Sequence, residues 1–261
     1  MATEKILFLD IDGTILLPDH TIQLSTIEAI KQVTKRGIKV FLATGRPLHE
    51  INHLKVKLNI QSCIGYNGAY ATYQGKEIYN RPMDPNLVDH FIQTATKSNE
   101  ELVFYRKDAN LFTDLNKPYI INFINYFDLT LNEHYQETDR DKILGGTIMN
   151  VNEKNLKHYQ KSSHFLSEVN VEGLRDSYDI IQKTTNKGEA INYILNKFNL
   201  KPEQAIAFGD GLNDREMLST VGKGFAMGNA NPDLFQFANY KTTSVEDNGI
   251  YNGLKQLGLV N

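Results

Sequence analysis

Four short apolar runs, each closed by a small or polar residue, constrain this chain more than any other feature. Residues 6–9 end at Asp10, residues 38–43 at Thr44, residues 205–208 at Gly209 and residues 225–227 at Gly228. Unbroken apolar runs of this length suit strands buried on both faces, as in a parallel sheet covered by helices. The intervening segments read as helices. Ser25-Thr26-Ile27-Glu28 matches a capping box and predicts a helix with Ile27, Ile30 and Val33 on one face, stopped at Gly37. Residues 189–198 carry Ile191, Ile194, Leu195 and Phe198 at helical spacing. This alternation predicts an α/β fold with a Rossmann-like parallel-sheet core.

The middle third breaks the pattern. After Pro82 and Pro85, Leu87, Val88, Phe91, Ile92 and Ala95 suggest a helix, and strand-like stretches follow at residues 102–105 and 111–113. Helices are predicted at 118–127 and 155–166, and strands at 147–151 and 179–182. No acid-tipped apolar run occurs here. Residues 83–183 therefore read as an α+β cap domain inserted into a core made of residues 1–82 and 184–261.

The chain has 261 residues, 41% hydrophobic and 23% charged, enough to bury a sizeable core. Its net charge of −3 is spread without basic blocks, which argues against a nucleic-acid partner. The apolar run at 6–9 is too short for a secretory signal or a membrane span. A single cysteine, Cys63, forms no internal disulfide. A cytoplasmic location is expected, as a monomer or small homo-oligomer.

Four separated segments bear the chemistry: Asp10-Ile11-Asp12-Gly13-Thr14, Thr44-Gly45-Arg46-Pro47, Asn186-Lys187-Gly188 and Gly209-Asp210-Gly211-Leu212-Asn213-Asp214. Three stand at the predicted carboxyl ends of strands, where open α/β sheets bind ligands, and Lys187 falls just before a helix. The residue types fit phosphoryl transfer. A carboxylate nucleophile and a phosphate dianion repel each other unless positive charge neutralises both. Asp10 and Asp210 offer hard oxygen ligands for Mg²⁺. Lys187 adds a fixed positive charge, and the Thr44 hydroxyl can donate to the transferring oxygens. Asp12, two residues after Asp10, is placed to protonate a leaving alcohol and later deprotonate water.

At these residues the sequence resembles the haloacid dehalogenase superfamily, specifically its Cof-like phosphatases with a type IIB cap. The family pattern stands here in order as DIDGT, ATGRP, NKG and GDGLND. Tyr66-Asn67-Gly68-Ala69 and Glu246-Asp247-Asn248-Gly249 also resemble family features. The resemblance implies Asp10 as phosphoaspartate nucleophile and Asp12 as acid/base. It implies Mg²⁺ held by the Asp10 carboxylate, the Asp12 backbone carbonyl and Asp210. Phosphate contacts would come from the Ile11 backbone, Thr44, Gly45, Lys187 and Asn213, with Asp214 and Asn67 in support. The implied partner is a small phosphorylated metabolite. Sugar phosphates lead, with pyridoxal phosphate and flavin mononucleotide as alternatives. The cap would close over the site and choose the leaving group.

Several of these residues also admit plainer readings. A lone D-x-D is often a solvated turn, and Thr44 could be a helix N-cap ahead of Pro47. His49-Glu50-Ile51-Asn52-His53 matches H-E-x-x-H, the zinc motif of metalloproteases, but no third ligand follows at a suitable spacing. A packing helix using Leu48, Ile51, Leu54 and Leu58 is the better account. Tyr119, Phe123, Tyr126 and Phe127 read as cap core, and Gly222-Lys223-Gly224 as a turn before a strand. Two rivals share the fold: a sugar phosphomutase, and a metabolite-binding regulator without turnover.

Overall fold

The computed structural model describes residues 4–160, 164–168 and 176–261. They form two compact units. One comprises residues up to Gly45, Asn52–Tyr79 and Asn186–Asn261; the other comprises Arg46–Ile51 and the described part of Asn80–Thr185.

In the first unit an eight-stranded sheet runs, edge to edge, Tyr240–Lys241, Lys223–Ala226, Ala205–Gly209, Ile6–Leu9, Lys39–Ala43, Cys63–Gly65, Tyr70–Tyr73 and Lys76–Asn80. The first six pair in parallel, and Tyr70–Tyr73 turns back antiparallel. The central strand has Phe8 beside both Ala207 and Phe41. Each of its four residues is fully buried, as a strand covered on both faces requires. The helix Lys187–Lys197 lays Ala190, Ile191, Ile194 and Leu195 on the sheet, where they join Phe8, Phe41 and Ala207 in one cluster. Asn186 caps this helix by accepting from the Glu189 N–H at 2.9 Å.

The helix Leu24–Lys35 buries Thr26, Ala29, Ile30 and Val33, and Gly37 ends it with φ +82°. The capping box predicted at Ser25 is not formed. The helix starts two residues earlier, with Gln23 at the N-cap, and Ser25 Oγ donates instead to Asn248 Oδ1 at 2.6 Å. Its cap is exchanged for a tertiary bond.

The second unit carries a six-stranded sheet ordered His164–Glu168, Tyr178–Gln182, Gly145–Met149, Glu101–Tyr105, Asn110–Phe112 and Asn132–His134. The helix Pro85–Ser98 packs Leu87, Val88 and Phe91 with Leu102, Phe104, Ile148 and Ile180. Residues of opposite parity, Val103, Phe112 and Met149, meet Ile120 and Phe123 of the helix Pro118–Tyr126. Tyr126 and Phe127 depart from the predicted core: they are 58% and 36% exposed. The helix predicted at 155–166 is cut to Leu156–Tyr159. Residues 161–163 lie outside the described residues, and Leu166 sits in a strand because His164–Glu168 pairs antiparallel with Tyr178–Gln182. Ladder pairing overrides the helical spacing there. Among the described residues no helix is long and apolar enough to cross a membrane.

Cys63 is fully buried in its strand, and burial pushes its thiol up to about 12. At pH 8 almost no thiolate exists in the folded chain. Labelling by a thiol reagent is therefore expected to follow the global unfolding transition, measured as labelling rate against urea; rapid labelling in buffer contradicts this packing.

Candidate active site

The parallel strands Ile6–Leu9, Lys39–Ala43 and Ala205–Gly209 share one carboxyl edge, and the next residues there are Asp10, Thr44 and Asp210. Lys187 reaches the same place from the start of its helix. Its Nζ donates to Asp10 Oδ1 at 2.6 Å and to Asp214 Oδ1 at 2.7 Å, with no exposed side-chain surface. Burial opposes the ammonium charge, but Asp10 and Asp214 outweigh it and hold the Lys187 pKa above its ordinary value.

Asp214 is fully committed. Its second oxygen accepts the N–H groups of Asp210 at 3.0 Å and Gly211 at 3.1 Å. Asp210 Oδ1 accepts from Thr14 Oγ1 at 2.9 Å. Three carboxylates thus crowd one ammonium. Burial, reinforced by Asp214 and Asp210, raises the Asp10 pKa against the pull of Lys187. Burial and Asp214 likewise push Asp210 up to about 6. Among the described residues Asp10, Asp210 and Asp214 offer oxygen atoms within 4.8 Å of one another, a set that can hold a metal ion. A cation there would relieve the repulsion that raises both pKa values.

The turn after Asp10 is possible only with glycine at position 13. Its φ is +77°, and an added Cβ would lie 2.2 Å from Asp210 Oδ2. Ile11 beside it is buried, and its carbonyl accepts from the N–H groups of Ile15 and Leu16 at 2.9 and 2.8 Å. Asp12 is exposed on the rim, lining a cleft of about 310 Å³ with Leu16, Leu17, His20, Asn229 and Glu246.

A second group of predicted residues meets alongside. The Thr44 N–H donates to the Ile64 carbonyl at 2.9 Å, and the Thr44 carbonyl accepts from the Asn67 N–H at 3.2 Å. No helix starts near Thr44, so it is not an N-cap; the next helix is Asn52–Leu58. Asn67, in the left-handed region at φ +52°, brings its Oδ1 to Asn213 Nδ2 at 3.0 Å. A Cβ on Gly45 would come within 2.9 Å of the same oxygen. Gly68, at φ +100°, sits against the Asn186 carbonyl and so fixes this loop beside the helix that carries Lys187.

Sequence reasoning passed over Asn229. Its Nδ2 donates to the Gly13 carbonyl and its Oδ1 accepts from the Val245 N–H, both at 2.8 Å, tying the first turn to the chain's last loops. The signal was its position two residues beyond an apolar run. Thr14 also gains a role that its place in the motif did not announce. The zinc reading fails on geometry: His49 and Glu50 precede the helix, and His53 is exposed on it.

A family model described as haloacid dehalogenase-like hydrolase matches residues 7–254. The chain belongs to that family. The protein YkrA of Bacillus subtilis (strain 168) is 30% identical over 257 residues, 98% of each chain. The HMP-PP phosphatase of Yersinia pseudotuberculosis serotype I (strain IP32953) is 31% identical over 242 residues, 87% of this chain and 85% of that one. Among solved structures, the subclass IIB sugar phosphatase BT4131 superposes with a TM-score of 0.81 at 26% identity, covering 98% of this chain and 100% of its own. This family member is a phosphatase-type hydrolase of the Cof-like, IIB kind.

Removing the Asp214 carboxylate would strand the Lys187 ammonium and two backbone N–H groups in a dry site. Asp214→Ala is expected to lose roughly 3–5 kcal/mol of stability, read from urea denaturation. A change under about 1 kcal/mol would show that the triad is not held as described.

Proposed function

We propose that this chain is a Mg²⁺-dependent phosphatase of small phosphorylated metabolites, sugar phosphates foremost, working through a phosphoaspartate on Asp10. The observation that carries the reading is the crowding of three carboxylates, the buried Asp10 and Asp214 and the half-buried Asp210, around one buried ammonium. It leaves Asp10 and Asp210 short of positive charge where a divalent cation and a phosphoryl group would supply and share it. The residues present fit Mg²⁺, which takes a few hard oxygen ligands and keeps water. Asp10, Asp210 and the Asp12 carbonyl would hold it. When bound, it neutralises charge on the carboxylate and the phosphate oxygens.

The chain's own groups do the rest. Lys187 orients the Asp10 carboxylate and balances its charge, so that an Asp10 oxygen can attack phosphorus in line with the leaving group. The ester P–O bond breaks as the new O–P bond forms, and Asp12 delivers a proton to the departing alkoxide. Asp12, now a carboxylate, takes a proton from water as that water attacks the phosphoaspartate. Inorganic phosphate leaves and Asp10 is restored. Thr44, Gly45, the Ile11 N–H and Asn213 donate to the equatorial oxygens. Asp214 and Asn67 support, the first by holding Lys187 and the second by bridging Asn213 to the Thr44 loop.

Residues 1–82 and 184–261 are read as the catalytic core, and the inserted residues 83–183 are assigned the choice of leaving group. The sugar-phosphate preference is supported by the likeness to a sugar phosphatase; the HMP-PP phosphatase likeness keeps the metabolite range open.

Asp10→Asn is expected to lose at least about a thousandfold in kcat with p-nitrophenyl phosphate. EDTA should abolish wild-type turnover and added Mg²⁺ restore it. On hexose phosphates, inorganic phosphate should appear without isomerised sugar phosphate. Full activity of the variant or of the chelated enzyme would refute the mechanism, and isomer formation would make the chain a mutase.

A further inference from the structure

The H-E-x-x-H stretch has no use in zinc binding, yet its first two residues are held unusually well. Asn110, fully buried on the strand Asn110–Phe112, is the hub. Its Nδ2 donates to Glu50 Oε1 at 2.6 Å, the Thr130 carbonyl at 3.0 Å and Asn132 Oδ1 at 3.1 Å. Three acceptors on one side fix the amide orientation, so Oδ1 faces His49 Nε2 at 3.0 Å. Oδ1 can only accept, so the His49 proton sits on Nε2. Glu50 is gripped again by Thr130, whose N–H donates to Oε1 at 3.2 Å and whose hydroxyl donates to Oε2 at 3.3 Å. Burial alone would raise the Glu50 pKa; the bonds from His49 and Asn110 hold it below its ordinary value. Leu48 and Ile51, 5% and 0% exposed, seat the same segment with apolar surface.

This segment leaves the Thr44-Gly45 loop directly. Arg46–Ile51 belongs to the second unit, although the chain before and after it belongs to the first. Between Gly45 and the anchored Leu48-His49 stand only Arg46 and Pro47. Proline fixes its own φ and keeps the preceding residue extended, so this spacer is short and stiff. On its other side the loop is pinned by Ile64 and Asn67. A displacement of His49 and Glu50 therefore reaches Gly45 almost undiminished, where misplacement by about 1 Å can cost 10²-fold in rate.

We infer that Glu50 and Asn110 are positioning residues for phosphoryl transfer. They clasp the segment leaving the Thr44-Gly45 loop to the second unit's sheet, and so set where that loop presents its donors. This rests on the phosphate-binding role proposed above for Thr44 and Gly45.

The test uses the full-length protein with Mg²⁺ and three variants. Glu50→Ala removes the grip; Asn110→Asp turns the donor face into a carboxylate beside Glu50; Glu50→Gln keeps the acceptor Oε1. Steady-state kinetics with p-nitrophenyl phosphate, thermal melting and amide exchange over residues 44–51 are measured, with vanadate binding to wild type by calorimetry. For Glu50→Ala and Asn110→Asp the expected result is a kcat/KM loss of about tenfold or more, with faster exchange confined to that stretch. Glu50→Gln should recover at least about half of wild-type kcat/KM. If both disruptive variants keep wild-type kcat/KM per folded molecule, or if exchange over 44–51 is unchanged, the clasp is overturned while the phosphatase reading stands. A wild type that neither turns over substrate nor binds vanadate overturns both.

Discussion

A buried lysine held between two aspartates is the interaction on which the rest of this structure depends. Lys187 has no solvent to share its charge, and its two partners come from opposite ends of the core's chain. An isolated ammonium in such a place would lose its proton; two carboxylates at hydrogen-bond distance keep it charged. The pair costs desolvation that packing must offset, and the fully buried strands around it supply that packing. Because Asp214 also caps the N–H groups of Asp210 and Gly211, the lysine organises the fourth-motif loop as well as the first. Among the described residues the carboxylates of Asp10, Asp210 and Asp214 share one ammonium, and that excess of negative charge makes the site a poor fit for a neutral ligand and one that can hold a metal ion.

The sheet makes that triad possible. Parallel pairing of the central strands aligns their carboxyl ends, so three residues that follow separate strands arrive at one edge without any loop reaching far. Tight turns then bring the backbones close. Gly13 has no Cβ to strike the Asp210 carboxylate, and Gly68 none to strike Asn186. Asn229 and Asn67 act as crosslinks between turns that have no regular structure of their own. The site is thus stiff where the carboxylates lie and hydrogen-bonded where the Thr44-Gly45 loop lies.

The strand ends were legible in the sequence because a strand buried on both faces leaves an unbroken apolar run; two runs stop at Asp10 and Thr44, and a third at Gly209, just before Asp210. Asp10, Thr44, Lys187, Asp210 and Asp214 announced themselves by type and order. The short strands Cys63–Gly65, Tyr70–Tyr73 and Asn132–His134 did not, since three or four residues carry too little periodicity. The capping box at Ser25 and the helix at 155–166 failed for a shared reason: a distant partner, Asn248 in one case and the strand Tyr178–Gln182 in the other, outbid a local preference. Asn229 was hard to read because its value lies in the two backbone groups it bridges, and its place two residues beyond an apolar run gives only its position.

His49 and Glu50 carry the same lesson one step further. A motif defined by metal chemistry needs both imidazoles on one helical face, and here the helix begins only at Asn52. Without that geometry the same side chains are polar groups seeking partners, and burial makes the search compulsory. Asn110 is suited to answer it, since an amide can accept from an imidazole and donate to a carboxylate at once. The result binds a six-residue segment to a unit that its flanking chain does not belong to. Any force on that segment is felt at Gly45, because proline removes the slack between them. What the sequence offers as a catalytic pattern is, in the folded chain, a mechanical one.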